Sequence, residues 1–451
     1  MKWASDKRSQ GEALAKADNH PAEPAREQSV PERLLKLFET CHIAPPHHLL
    51  VLGSQLNPNE ASSALLISRQ PRALAPDTPW LRSVFEHFSA KTGDPSFVGT
   101  LGQAIHEAPL WAAANSHMPV TVVLPQYVTA TSSPKAPEKA FAESLALIRD
   151  LFPPDYEHAR LRLILPVWPT DPPPSSLTKE GKNHRRDLVV AGLASNVFIL
   201  GVSPSGTIHR IVEVLSAIGC QTTPITLAAS SPAIEREPVR WPAAPASTPC
   251  GAPVTPGISV WNEPGWLSHY VRSCTGHWPG QTRHDYFSAL SRRDTLSAHS
   301  AFDTLRRILN DGIIRGSDKW VRGDWPVISF TESTPAEVRP LHRYMHHLVR
   351  WDFEPYSIRI RRTAALSHGA MQVAYIDNPG YWRGLPQDKL WWFQPKLEGR
   401  DIALEKEWRF KGNLLLKDFA PSDIRLLVPT NAEAETLRRE SPFAIDTLES
   451  T

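Results

Sequence analysis

Between Ser231 and Gly257 the chain reads SPAIEREPVRWPAAPASTPCGAPVTPG, seven prolines in 27 residues. Proline has no backbone N–H and a fixed φ, so neither a sheet interior nor a helix interior tolerates that density. The stretch predicts a stiff linker that cuts the 451 residues into parts of different character. The expected plan is a polar leader over 1–45, an α/β domain over 46–230, the linker over 231–257 and an α+β domain over 258–451.

Strands and helices alternate before the linker. HHLLVLGSQLNPNEASSALL reads as a strand ending in Gly53-Ser54 and leading toward a helix. MPVTVVLPQY and ARLRLILPVWP read as buried strands, with EKAFAESLALIRDLF as a helix between them. NVFILGV is a further strand, and SPSGT after it opens an amphipathic helix carrying Ile208, Ile211, Val212 and Leu215. Alternation of this kind implies a mostly parallel sheet covered on both faces. After the linker, ten of the fifteen tryptophans fall between Trp261 and Trp408 and strands outnumber helices. The strand candidates are WLSHYVRSC, WPVISFTES, YSIRIRR, AMQVAYID, the segment around Glu407, and DIRLLVPT. AFDTLRRILNDG and TPAEVRPLHRYMHHLVRWDF read as helices, so a small, strongly bent antiparallel sheet is expected.

Composition narrows the function classes. Hydrophobic residues at 41% and charged residues at 21% permit sizeable cores and exclude wholesale disorder. A net charge of +2 supplies no global field for nucleic acid or membrane. Over 258–451 there are 26 Lys plus Arg against 24 Asp plus Glu, so the second half is not basic either. No apolar run approaches the ~20 residues of a membrane span, and MKWASDKRSQ lacks the core of a secretory signal, so a cytoplasmic protein is expected. The four cysteines have no CxxC spacing, which excludes a zinc ribbon.

Two sites stand out. Gly53-Ser54 at a strand end and Gly206-Thr207 at a helix start could cradle a phosphate, because glycines admit an anion and helix N-termini present free N–H groups. LLVLGSQL with FILGVSPSGT resembles the Rossmann-like SLOG superfamily, in which a Gly-Ser and a late Gly-Thr turn contact a nucleotide. On that resemblance Gly53, Ser54, Gly206 and Thr207 are nucleotide-binding positions and the domain senses a nucleotide. Ser203-Pro204-Ser205 stands where that superfamily has glycines.

The second site lies in DIALEKEWRFKGNLLL, residues 401–416. At period 2, Glu405, Glu407 and Arg409 share one face, with the two carboxylates roughly 7 Å apart. Like charges that close need a cation, a substrate or solvent. Paired carboxylates stabilise oxocarbenium-like centres in glycosyl transfer. Arg409, Lys406 or the arginines of YSIRIRR would equally answer them, so spacing leaves a plain ion-pair site open. His342 and His346 are spaced i, i+4 on the expected helix and read as a solvated face rather than a zinc site. Arg359, Arg361 and Arg362 likewise read as a solvated strand face, and Trp391 and Trp392 as core or rim aromatics.

The order of an arginine, Ser-x-Thr and Glu-x-Glu is similar to the arginine–serine–glutamate signature of ADP-ribosyltransferases. The resemblance implies a split antiparallel sheet, NAD as substrate and release of nicotinamide. It assigns Arg272 as the first-strand arginine, Ser329 as the serine-strand position and Glu405 and Glu407 as the two glutamates. The second glutamate fixes the ribose and the first selects and activates the acceptor. His269-Tyr270 is an alternative first-strand pair, with Thr331 and Arg283 as further NAD-binding positions. The stretch with its terminal E-x-E-W-R also looks like bacterial abortive-infection proteins of the AbiGi-like and DarT-like kinds. The expectation is therefore a toxin-like or phage-defence enzyme using NAD, with no metal and an acceptor left open among protein, nucleic acid and water. Self-association through the first domain is a further expectation. A non-enzymatic nucleotide- or nucleic-acid-binding scaffold, or a metal-dependent nuclease, is the alternative.

Overall fold

The computed structural model describes residues 24–57, 59–68, 74–89, 95–169, 179–204, 206–227, 241, 263–317, 321, 325–345, 350–376, 384–395 and 406–449. The chain divides into two compact units: Met1–Gln70 with Pro79–Ala228, and Pro71–Thr78 with Ala229–Thr451. The proline-rich stretch lies outside the described residues apart from Trp241. Among the described residues no helix is long and apolar enough to cross a membrane.

The sheet of the first unit contains β1 (Arg26–Gln28), β2 (His48–Leu52), β3 (Ser62–Ile67), β4 (Ser96–Thr100), β5 (Val120–Val123), β6 (Val128–Thr129), β7 (Leu161–Trp168), β8 (Asn196–Leu200) and β9 (Gln221–Ile225). Their order is β1-β2-β7-β5-β4-β3-β8-β9, with β6 beside β7. Neighbours from β7 to β9 are parallel, while β1 and β2 form an antiparallel edge. Helices α1 (Glu32–Thr40), α2 (Pro79–Ser89), α3 (Ala104–Asn115), α4 (Lys135–Leu151), α5 (Lys179–Leu193) and α6 (Thr207–Ala217) complete the unit. Those from α2 onward include the crossovers that parallel neighbours require.

Two central strands depart from the sequence expectation. ASSALL is the body of β3 rather than the approach to a helix, and SFVGT forms β4, which the sequence pattern does not announce. Every residue of both strands is buried, and a strand covered on both faces shows no alternation to read. Gly99 of β4 lets α3 pack closely, since a Cβ there would sit 2.7 Å from the end of the Leu110 side chain, which would have to shift.

The described part of the polar leader expected over 1–45, from residue 24 onward, has structure. β1 pairs with β2, and Leu34, Leu37 and Phe38 of α1 are fully buried in one cluster with Leu188, Val189 and Ile211. The leader reads as polar because only three of the nine α1 residues are buried; those three occupy one side of the helix.

In the second unit the main sheet has the order β16-β19-β12-β10-β15-β21-β22. Its strands are β10 (Trp266–Tyr270), β12 (Val327–Thr331), β15 (Ser357–Arg361), β16 (Met371–Gln372), β19 (Glu407–Lys411), β21 (Ile424–Val428) and β22 (Ala444–Thr447). All neighbours are antiparallel except β21 and β22. Three small pairs accompany it: β11 (Ile313–Ile314) with β20 (Leu414–Leu415), β13 (Arg343–Met345) with β14 (Arg350–Asp352), and β17 (Ala374–Ile376) with β18 (Phe393–Pro395). The helices are α7 (Arg283–Arg292), α8 (Ala301–Asp311), α9 (Pro335–Val338), α10 (Arg362–Ser367) and α11 (Asn431–Glu440).

The long helix expected over TPAEVRPLHRYMHHLVRWDF is absent. A Thr334–Glu337 capping box starts only the one-turn α9, Arg339–Leu341 form a 3-10 turn, and the β13–β14 hairpin follows. Pro340 cannot donate the next helical hydrogen bond, so the chain leaves the helix there. One face of the main sheet carries Leu267, Ile328, Phe330, Ile358, Ile360, Trp408, Ile424 and Leu426, packed with Ala301 and Leu305 of α8 and Ala434 and Leu437 of α11. The other face is polar, with Ser329, Thr331, Glu407, Arg409 and Arg359.

Replacing Leu37 by Ala should cost the first unit about 2–5 kcal/mol, the range for emptying a filled core position. Thermal unfolding followed by tryptophan fluorescence checks this; a midpoint within a degree of the parent would mean that α1 adds nothing to the core.

Candidate active site

Antiparallel pairing of β12 with β19 sets Ser329 opposite Arg409 and Thr331 opposite Glu407. All four side chains therefore share the polar face, because paired residues and every second residue along a strand point the same way. Ser329 Oγ donates to Glu407 Oε1 at 3.0 Å. Arg409 Nε donates to the same oxygen at 2.9 Å, and an amino group reaches Oε2 at 3.3 Å. The rest of the guanidinium is anchored by the Trp391 carbonyl (2.8 Å), the Phe393 carbonyl (3.5 Å) and Gln394 Oε1 (2.7 Å). Ser329 is exposed and Glu407 partly so, which leaves the carboxylate reachable from solvent.

β10 meets β12 through one register pair, Ser268 with Thr331. His269 follows that pair. Its ring packs against Phe330 at 5.7 Å, on the apolar side of the sheet, while Nδ1–H donates to the Ser329 carbonyl at 2.9 Å. A carbonyl only accepts, so Nδ1 carries the proton and Nε2 keeps its lone pair. Desolvation, reinforced by the Arg272 charge and opposed by the Ser329 bond, lowers the ring pKa to about 4. His269 is neutral at physiological pH.

The structure gathers some of the expected residues and separates others. Ser329 and Glu407 meet directly. Arg272 lies beyond the end of β10, where Asp352 of the β13–β14 hairpin accepts from it at 3.1 Å. Tyr270 points to the polar side and packs against Trp241 and Phe353. Thr331 is buried, and its Oγ1 accepts the Ser333 N–H at 3.0 Å. Arg283 opens α7. Glu405 and His346 lie outside the described residues. His342 stacks on Trp351 at 4.7 Å rather than lining a helix face. Arg359, expected on a solvated face, is 1% exposed and paired with Asp446 at 3.3 Å. Among the described residues no group of three or more His, Cys, Asp and Glu is arranged to hold a metal.

In the first unit the paired motifs are parted. β2 runs antiparallel to β7, with Leu52 beside Leu163, so Gly53 abuts the start of β7. Its φ of +100 and a virtual Cβ 2.7 Å from the Leu161 carbonyl require glycine there. Ser54 is held by Arg162, which donates to its carbonyl and hydroxyl at 2.9 Å each. Gly206 and Thr207 follow the other end of the parallel strands, so strand lengths of roughly 15 Å separate the two pairs. One nucleotide phosphate does not touch both. Gly206 is the N-cap of α6 with no side-chain cap, its N–H donates to the Ser203 carbonyl at 3.0 Å, and the Ser203 N–H donates to Ser68 Oγ at 2.9 Å. Ser68 follows β3, which sits next to β8, so this bond bridges the point where the strand order reverses.

Arg409 carries more of the site than the sequence reading gave it. Its i+2 spacing from Glu407 was the available signal. Gln394, by contrast, comes from a separate segment with no sequence mark.

No protein-family model matches the chain, and no curated protein matches it. Among solved structures, DNA processing protein A (DprA) from Streptococcus pneumoniae is similar at 12% identity, over 49% of this chain and 77% of that one. Its TM-score of 0.25 is too low to support a functional conclusion.

A folded-state pKa of about 4 against an ordinary 6.5 means that the unfolded chain binds a proton at His269 that the folded chain refuses. Stability is therefore lost as pH falls from about 6.5 toward about 4. The Tm advantage of the parent over His269→Asn should shrink between pH 7 and pH 4.5, roughly the window of those values. A constant gap would mean an unperturbed imidazole.

Proposed function

We propose that the second unit breaks the bond between nicotinamide and ribose in NAD and passes the ADP-ribosyl group to an acceptor or to water. Support comes from one observation above the rest: an exposed serine hydroxyl from β12 is hydrogen-bonded to a partly exposed glutamate of β19. The two residues are 78 positions apart, and they are the serine and second-glutamate positions of the order that resembles ADP-ribosyltransferases.

In this reaction the glycosidic bond breaks and its electron pair leaves with nicotinamide. The ribosyl carbon becomes cationic, and a fixed carboxylate beside it lowers the barrier because the charge is already oriented. The acceptor then donates a lone pair to that carbon and loses its proton. Glu407 supplies the carboxylate, and Ser329 holds it. Arg272 is the pyrophosphate contact, with one amino group held by Asp352 and its other donors available among the described residues. His269, neutral and protonated at Nδ1, donates to the Ser329 carbonyl from the apolar side and so steadies the strand that presents Ser329. A role in phage defence or as a toxin rests on the E-x-E-W-R resemblance. In the first unit, nucleotide sensing belongs to the rim at Ser68, Ser203 and Gly206 rather than to Gly53 and Ser54.

The ion pair of Glu407 with Arg409 favours a second reading, in which the cluster only ties β19 to the Trp391–Gln394 segment and the unit is a binding module. Measurement of nicotinamide release from NAD separates the two. Glu407→Gln should lower turnover by about 100-fold or more while the circular dichroism spectrum is unchanged. Absence of NAD consumption by the parent protein, with and without added nucleotides, would leave the binding-module reading standing.

A further inference from the structure

The five N–H donors of Arg409 are all assigned. Nε meets Glu407 Oε1, one amino group meets the Trp391 and Phe393 carbonyls, and the other meets Gln394 Oε1 and Glu407 Oε2. At 4% exposure this guanidinium has no solvent into which to rotate. Its orientation is therefore set by the Trp391–Gln394 segment and handed on to the carboxylate.

The two carboxylate oxygens are not equivalent. Oε1 accepts two bonds of ordinary length, from Arg409 at 2.9 Å and from Ser329 at 3.0 Å. Among the described residues Oε2 has a single long contact, at 3.3 Å. We infer that Arg409 is a positioning residue: together with Ser329 it occupies Oε1 and leaves Oε2 as the oxygen that meets the substrate. This inference rests on the proposed transfer reaction.

A planar fork is needed for this task. Lysine would keep the charge but could not span a carboxylate, two carbonyls and an amide at fixed angles. A misplacement of the carboxylate by about 1 Å is enough to cost on the order of 100-fold in rate. Charge alone and orientation therefore make different predictions. If charge were sufficient, Arg409→Lys would be nearly as active as the parent. With orientation in control, kcat falls while KM for NAD barely moves, since Ser329 and the rest of the nucleotide contacts are intact.

The test compares the parent, Arg409→Lys, Arg409→Ala and Gln394→Ala for nicotinamide release, with near-ultraviolet circular dichroism as the check on folding. Expected are kcat losses of at least about tenfold for Arg409→Lys and about 100-fold for Arg409→Ala, with KM within about threefold. Guanidinium ion at millimolar concentration should restore part of the Arg409→Ala rate and leave Arg409→Lys unchanged. Gln394→Ala removes one neutral anchor and no charge, so it should lower kcat by about three- to tenfold even if the Arg409 variants fail to fold. An active parent whose Arg409→Lys and Gln394→Ala variants keep kcat within about twofold overturns the positioning role and leaves the transfer reaction standing. A parent that releases no nicotinamide overturns both.

Discussion

A guanidinium buried to 4% exposure has to place its donors within the protein, and where Arg409 places them organises the polar face of the second unit. Leaving such a group unpaired costs several kcal/mol, so the segment that receives it is not free to drift. The Trp391 and Phe393 carbonyls and the Gln394 amide are fixed in this way against β19. Gln394 lies on β18, whose parallel partner β17 follows closely after β16, the edge strand beside β19. The edge of the sheet is thus held twice, by backbone pairing on one side and by a single arginine on the other.

The apolar face of β19 and the residues just before the strand are held as well. Trp408 Nε1 donates to Glu332 Oε2 at 3.1 Å, and the same carboxylate pairs with Arg362 at the start of α10. Lys406, in the left-handed region at φ 40, pairs with Glu337 at 2.9 Å. The ionic contacts of Lys406 and Arg362 are partly exposed and individually weak. Their effect is positional: they limit the motion of the strand that presents Glu407. Rigid support of this kind is what a preorganised carboxylate requires.

How far the sequence disclosed this depends on what each segment is buried against. β12 and β19 alternate polar and apolar residues because one face is core and the other is not, so Ser329 and Glu407 could be placed on a face from period 2 alone. β3 and β4 could not be read that way, because helices cover both their faces and every position is buried. Gly53 stands out in the sequence as a glycine able to admit an anion, whereas the structure requires it for its φ of +100 and its approach to the Leu161 carbonyl; the direction of its strand is not legible in the sequence. Direction depends on pairing with β7, more than a hundred residues away, and it moved Gly53-Ser54 to the wrong end of the sheet for a shared site with Gly206-Thr207. Pro340 interrupts an apparently helical pattern, and its missing N–H decides the conformation there against the periodicity.

The same sheet face contains a second buried arginine–carboxylate pair, and the contrast with it shows what is particular to Glu407. Arg359 is 1% exposed and bonded to Asp446 at 3.3 Å. Burial lowers the arginine pKa and raises that of the aspartate, so both charges bear a desolvation penalty that their mutual attraction opposes. Arg361 and Arg425 also surround the indole of Trp266, at 4.8 and 4.9 Å, with Asp423 and Glu263 as their partners. Every charge in that cluster is answered by another, and no exposed hydroxyl bonds to Asp446 among the described residues. Such a cluster stiffens the sheet. Glu407 differs in one respect. A serine that solvent can reach is bonded to the same oxygen as the arginine. Two ion pairs of like composition on one face therefore differ in their surroundings, and the exposed hydroxyl at Ser329 sets the Glu407 pair apart.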